Sequence, residues 1–176
     1  MKNNQKGRSM IEMLGVLSIT GIISMSGISL YSKALYHRKI SNTIEQVSEL
    51  IANMRNTYRN RRDFGDMPEA NKDPKNVIPS DMIRGDSIVT ALGTPVTLTK
   101  GADGKKEFLI TLADTNTLKS INKTACLKIV TSDWGKNIFI GLNKSIEEQN
   151  GESTIPIMMA NKNCSKDANT IYFLVK

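Results

Sequence analysis

The chain has no charged residue between Met13 and Ser32 and no proline before Pro68. Uninterrupted helix is therefore permitted from near the N-terminus through the first third of the sequence, because proline would break it by about 3 kcal/mol. Cysteine is scarce: Cys126 and Cys164 are the two present, far apart and without Cys-x-x-Cys spacing. His37 is the one histidine, so no Cys/His set with zinc-ligand spacing can be assembled, and His37 is assigned no role. No phosphate-binding loop and no nucleophile placed beside a base can be found. Catalytic, cofactor-binding and metal residues are accordingly expected to be none, and a membrane-anchored enzyme is left without support.

The uncharged run covers 20 positions. As a helix it would span roughly 30 Å, the thickness of a bilayer's hydrocarbon core. A cleaved secretory signal is the competing reading. Against it, the apolar stretch is too long and "YSKALYHRK" follows, bulky and basic where small residues would be needed. Orientation is not set by charge: Lys2, Lys6 and Arg8 precede the run, while Lys33, Arg38 and Lys39 follow it. One carboxylate, Glu12, stands at the mouth of the run. A charged side chain inside a membrane helix costs on the order of 2.5–3.5 kcal/mol, so Glu12 needs a partner or a task.

Beyond the run, Ile40, Ile44, Val47, Ile51, Met54 and Tyr58 recur at helical spacing, with Asn42, Glu45, Gln46, Glu49, Asn53 and Asn56 elsewhere around the cylinder. One helix from about Ser9 to about Arg61 would be roughly 80 Å long. Its first half is apolar all round and its second half amphipathic. The stripe is too short for a coiled coil of three or four heptads, so packing against the chain's own domain is the expectation.

"RNRRDFGDMPEANKDPKN" ends the helix in a loop. The period then changes to two. "PVTLTK" and "EFLITL", joined by "GADG", read as a β-hairpin with Phe108, Ile110 and Leu112 on one face. "DTNTLKSINKTACLKIV" reads as a helix capped by Asp114 or Thr115, with Leu118, Ile121, Ala125 and Ile129 facing inward. "KNIFIGL", "TIPIMM" and "TIYFLV" are strand candidates, the last apolar on both faces and so expected to be buried. The fold class is α+β: a long N-terminal α-helix packed on a small antiparallel β-sheet.

Together these residues resemble the class III signal and body plan of type IV pilins and pseudopilins. The leader would end at Lys6-Gly7, and Arg8 would become the mature N-terminus. Glu12 then falls at the fifth mature position, where the family carries its glutamate. "VIPSDM", "LGTPVTLT", "EFLITL" and the late cysteines are similar to the type IVb pilin head. The resemblance implies segments 1–7 (leader), 8–32 (transmembrane and filament-core helix), 33–62 (amphipathic continuation) and 63–176 (α+β head). It implies cleavage between Gly7 and Arg8 by a prepilin peptidase and N-methylation of Arg8. Glu12 would pair with the new amine of a neighbouring subunit. The implied partners are further copies of the chain, an inner-membrane assembly platform and the membrane itself, and the implied destination is a bacterial envelope filament. Cys126 and Cys164 would bracket the family's D-region. In an oxidising periplasm a disulfide is the natural reading; two buried free thiols are the alternative.

Two features depart from the family pattern. Arg8 is not hydrophobic, and the apolar helix has no proline. It has instead Gly15, Ser18, Gly21, Ser24 and Gly27, small residues that allow close helix approach in lipid and weaken the helix locally. Tight packing with local extension in a filament is one reading; an ordinary glycine-containing membrane helix is the other.

Lys and Arg exceed Asp and Glu by 24 to 17, and loss of Lys2 and Lys6 with a leader would leave 22. That excess, with "YHRK" and "RNRR" as its densest stretches, is weak support for nucleic acid; solvated charges or ion pairs between subunits explain it more simply. A filament subunit is thus the leading reading. The alternatives are a minor pilin or adhesin, and a pseudopilin of a type II secretion machine.

Overall fold

The computed structural model describes residues 10–60, 67–69, 76–100, 107–113, 121–143, 155–164 and 168–176. The chain divides into two compact units, Met1–Arg38 and Lys39–Lys176. Helix α1, Met10–Tyr58, runs 49 residues through both.

In the first unit five hydroxyl side chains of α1 are spent on the helix itself. The hydroxyls of Ser18, Ser24, Ser26 and Ser32 each donate to the carbonyl four residues back at 2.8–3.0 Å, and Thr20 donates to Val16 and Leu17. A hydroxyl bonded this way can enter an apolar medium without leaving a donor unsatisfied.

In the second unit, α1 buries Ile40, Val47, Ile51, Met54 and Tyr58 as the periodicity requires. Thr43, Gln46 and Leu50 widen the buried face, while Ile44 is half-buried at its margin. Gln46, expected off the stripe, is only 7% exposed. It is buried because it hydrogen-bonds across to another segment, which apolar periodicity does not register.

A 3₁₀ turn (Ser80–Met82) leads into a two-stranded ribbon, β1 (Ile83–Arg84) and β2 (Ser87–Ile88). The main sheet follows: β3 (Val96–Lys100), β4 (Phe108–Leu112), β5 (Ile138–Leu142) and β6 (Ile171–Val175), antiparallel throughout in the order β3-β4-β6-β5. The β3–β4 hairpin forms as expected, from Val96 opposite Leu112 to Lys100 opposite Phe108; the "GADG" turn lies outside the described residues. β6 lies between β4 and β5, the interior place that its two apolar faces suggested.

Register stacks one sheet face into rows: Phe108, Val175 and Ile138; Ile110, Phe173 and Ile140; Leu112, Ile171 and Leu142. All nine are buried, none more than 2% exposed. With the α1 stripe they make the core, an α+β arrangement. Trp134 closes one side of it, its ring centroid 4.6 Å from that of Phe173 and its indole N–H bonded to the Ile129 carbonyl at 2.8 Å.

Two sequence readings need correction. Helix α2 is Lys123–Val130, with Asn122 as its cap: the Asn122 side chain accepts from the Ala125 amide at 2.9 Å. Asp114, Thr115 and Leu118 lie outside the described residues. Asparagine favours a cap over a helix interior because its side chain satisfies a first-turn amide. Ile121 is buried just ahead of the helix, while Ala125 and Ile129 face inward within it.

The "TIPIMM" strand is instead the start of helix α3, Ile157–Asn163, with Pro156 at its N-cap. The strand reading took apolarity for burial, but Ile157, Met158 and Met159 are 54–86% exposed. The residues that face inward are Ala160 and Cys164, four apart, as a helix requires.

Candidate functional site: an exposed apolar helix and a stapled head

Glu12 lies in the first turn of α1, where a carboxylate interacts favourably with the helix dipole. Gly7 and Arg8 lie outside the described residues. From Met10 to Leu35, fourteen large apolar side chains are exposed, from 40% at Leu35 to 84% at Met10. The helix is long and apolar enough to cross a membrane, with a window of mean hydropathy 1.8 that is not buried at all within the chain. A Cβ placed on Gly15, Gly21 or Gly27 would meet nothing within 4 Å, so the space beside these glycines is open for another helix or for lipid.

The head is held by two devices at one end of the sheet. Cys126 of α2 and Cys164, directly after α3, form a disulfide with an S–S distance of 2.06 Å, closing a separation of 38 residues. Beside it is an asparagine lattice. The Asn143 amide donates to the Asn163 carbonyl at 3.0 Å and to the Asn169 side-chain oxygen at 3.1 Å. Asn169 donates to the Ile121 carbonyl at 2.8 Å, and the Thr170 amide donates to Asn143 at 2.9 Å. Residues before α2, after β5, in α3 and before β6 are thereby tied together. Asparagines scattered over 26 positions, one of them reaching a carbonyl 48 residues away, gave no sequence signal for this.

The basic stretches divide. His37, Arg38 and Lys39 of "YHRK" are exposed on α1. Arg55, four residues before "RNRR", spends its guanidinium on the carbonyls of Lys136 and Asn137 at 2.9 and 3.3 Å, fastening α1 to the start of β5. Of "RNRR", Arg61 and Arg62 lie outside the described residues. Among the described residues no group of His, Cys, Asp and Glu is arranged to hold a metal ion. An open groove of about 340 Å³ between α1 and the 3₁₀ turn is lined by Asn42, Glu45, Gln46, Glu49, Pro79, Ser80 and Asp81.

An exposed apolar helix that leads into an α+β head with a disulfide near its C-terminus is the body plan of a type IV pilin. The family model described as PilS N terminal matches residues 37–176, and the chain belongs to this type IVb pilin family. Comparison with curated proteins and with solved structures found no match. The matched stretch covers the head and the second half of α1; it begins after Gly7, Arg8 and Glu12.

Proposed function

We propose that the chain is made as a precursor, cut after Gly7 by a prepilin peptidase, held in the inner membrane and polymerised helix to helix into an envelope filament by an assembly platform. The observation that carries this is the exposed apolar surface of α1. Fourteen large side chains stand open there, and at about 1.5 kcal/mol each, the cost of leaving them in water is on the order of 20 kcal/mol. Such a helix rests in lipid or against its own kind. Family membership supports self-assembly as the second of these states.

In that scheme cleavage creates an amine on Arg8, positive at neutral pH and a substrate for N-methylation. Glu12 of one subunit pairs with the amine of another inside the water-free helix bundle. A neighbour in the wrong axial register would leave a buried charge unpaired, at a cost of about 3–5 kcal/mol, so the pair sets the stagger. Intact mass and N-terminal sequencing of the membrane-extracted protein test processing: the mature chain should begin at Arg8, and a substitution at Gly7 should abolish that. Glu12→Ala should be processed and inserted normally yet yield few filaments. Normal filament yield from that variant would overturn the role given to Glu12.

A further inference from the structure

The ribbon that precedes the main sheet carries the tetrapeptide Arg84-Gly85-Asp86-Ser87. Arg84 pairs with Ser87 across the ribbon, so Gly85 and Asp86 are the two-residue connection between β1 and β2. Gly85 has φ 59°, and Asp86 is not among the residues of positive φ. Glycine at the first central position with only that residue in the left-handed region is the pattern of a type II′ hairpin turn, whose twist suits the flanking strands. All four residues are exposed. Neither the Arg84 nor the Asp86 side chain has a hydrogen-bond or ion-pair partner among the described residues.

The base of the ribbon is anchored as firmly as its tip is open. Met82 and Ile88 are buried, and the Val89 amide donates to the Met82 carbonyl at 2.8 Å. Gln46 of α1 grips both roots: its amide nitrogen donates to the Asp81 carboxylate at 2.6 Å, and its oxygen accepts from the Ala91 amide at 2.7 Å. Thr43 accepts from the Leu92 amide at 3.2 Å beside it. A guanidinium and a carboxylate two positions apart are thus displayed on a short turn whose base is fixed to a helix. That is a pre-organised ligand, since little conformational freedom remains to be lost when it is captured.

We propose that this hairpin tip is a receptor-binding site, read by a cell-surface protein that holds a divalent cation beside an acidic pocket. The Asp86 carboxylate would complete the coordination of a divalent cation held by the receptor, and the Arg84 guanidinium would enter an acidic pocket. The chemistry is specific on both counts. A carboxylate oxygen is a hard ligand suited to Mg²⁺ or Ca²⁺, and a guanidinium forks onto carboxylates in a way that an ammonium does not. Gly85 is required between them because its positive φ is strained for any L side chain, whatever space surrounds it. The site belongs to the head and does not depend on polymerisation. A filament would repeat it and raise the avidity of a weak single contact.

The test uses the full chain in detergent micelles, immobilised, against a panel of purified integrin ectodomains that read Arg-Gly-Asp, in Mg²⁺ or Mn²⁺ buffer. Saturable binding to at least one member is expected, abolished by EDTA and competed by a soluble Arg-Gly-Asp-Ser peptide but not by Arg-Gly-Glu-Ser. Asp86→Glu keeps the charge and the turn but adds a methylene; it should weaken binding about 100-fold, the scale of a hot-spot loss. Arg84→Lys should weaken it about tenfold or more. Unchanged Trp134 emission and an intact disulfide would show that both variants are folded. No binding by any receptor of the panel, or binding that survives chelation or Asp86→Glu, overturns the proposal. Because micellar protein is not polymerised, neither outcome bears on whether the chain builds filaments.

Discussion

Replacing Gln46 by alanine should loosen the head at the point where α1 holds the β1–β2 ribbon. The side chain is 7% exposed and makes two short bonds, 2.6 Å to Asp81 and 2.7 Å from the Ala91 amide. Asp81 is exposed, so its charge-assisted bond is screened and is assigned about 1 kcal/mol. The half-buried Ala91 amide would lose its acceptor, adding about 1–2 kcal/mol. The sum is about 2–3 kcal/mol, enough to lower a urea midpoint by about 1–2 M. Trp134 is the one tryptophan in the chain, and it is 7% exposed against Phe173, so its emission reports unfolding of the head without labelling. Amide exchange at Val89 gives a local readout, because its bond to Met82 closes the ribbon. In Gln46→Ala that amide should exchange faster than the global loss of stability requires. A double-mutant cycle with Asp81→Ala should return a coupling of about 1 kcal/mol. A midpoint within error of the parent, or zero coupling between positions 46 and 81, would refute the account of Gln46 as the clasp.

The same denaturation assay checks the other anchors. Reduction of Cys126–Cys164, or its replacement by a serine pair, should cost about 4 kcal/mol by loop-closure entropy for 38 residues, and an unchanged midpoint would remove the disulfide from the list of stabilising contacts. Asn169→Ala strands the Ile121 carbonyl and one amide hydrogen of Asn143, at about 2–3 kcal/mol, and should speed exchange at the Thr170 amide as well. Phe173→Ala, at the centre of the sheet's inner face, should cost about 3–5 kcal/mol.

Much of the architecture could be read in advance because it is periodic. The α1 stripe from Ile40 to Tyr58, the β3–β4 hairpin and the interior strand β6 each repeat an apolar residue at the spacing of one backbone geometry. Pattern failed where apolarity and burial part company. Ile157, Met158 and Met159 look like a core strand but stand exposed on a helix, while polar Gln46 and Asn169 are buried. It also failed at Asn122, where a helix seemed to begin earlier, because a cap is recognised by the amide that it meets.

The receptor-binding turn shows the limit in another way. Arg84-Gly85-Asp86 is legible as letters, but letters do not say whether a tripeptide is buried in a strand, lost in a loop or held at a tip.

What composition and order alone determined is the apolar helix and its carboxylate: with no proline and no charge over 20 positions, Met13 to Ser32 can cross a bilayer's hydrocarbon core as a helix, which satisfies every backbone group within the segment. Tertiary structure alone decided which polar groups are structural. Gln46 with Asp81 and Ala91, and Asn169 with Ile121, are partners 35 to 48 residues apart. Their bonds exist only once the sheet and α1 have brought those distant positions within about 3 Å of one another.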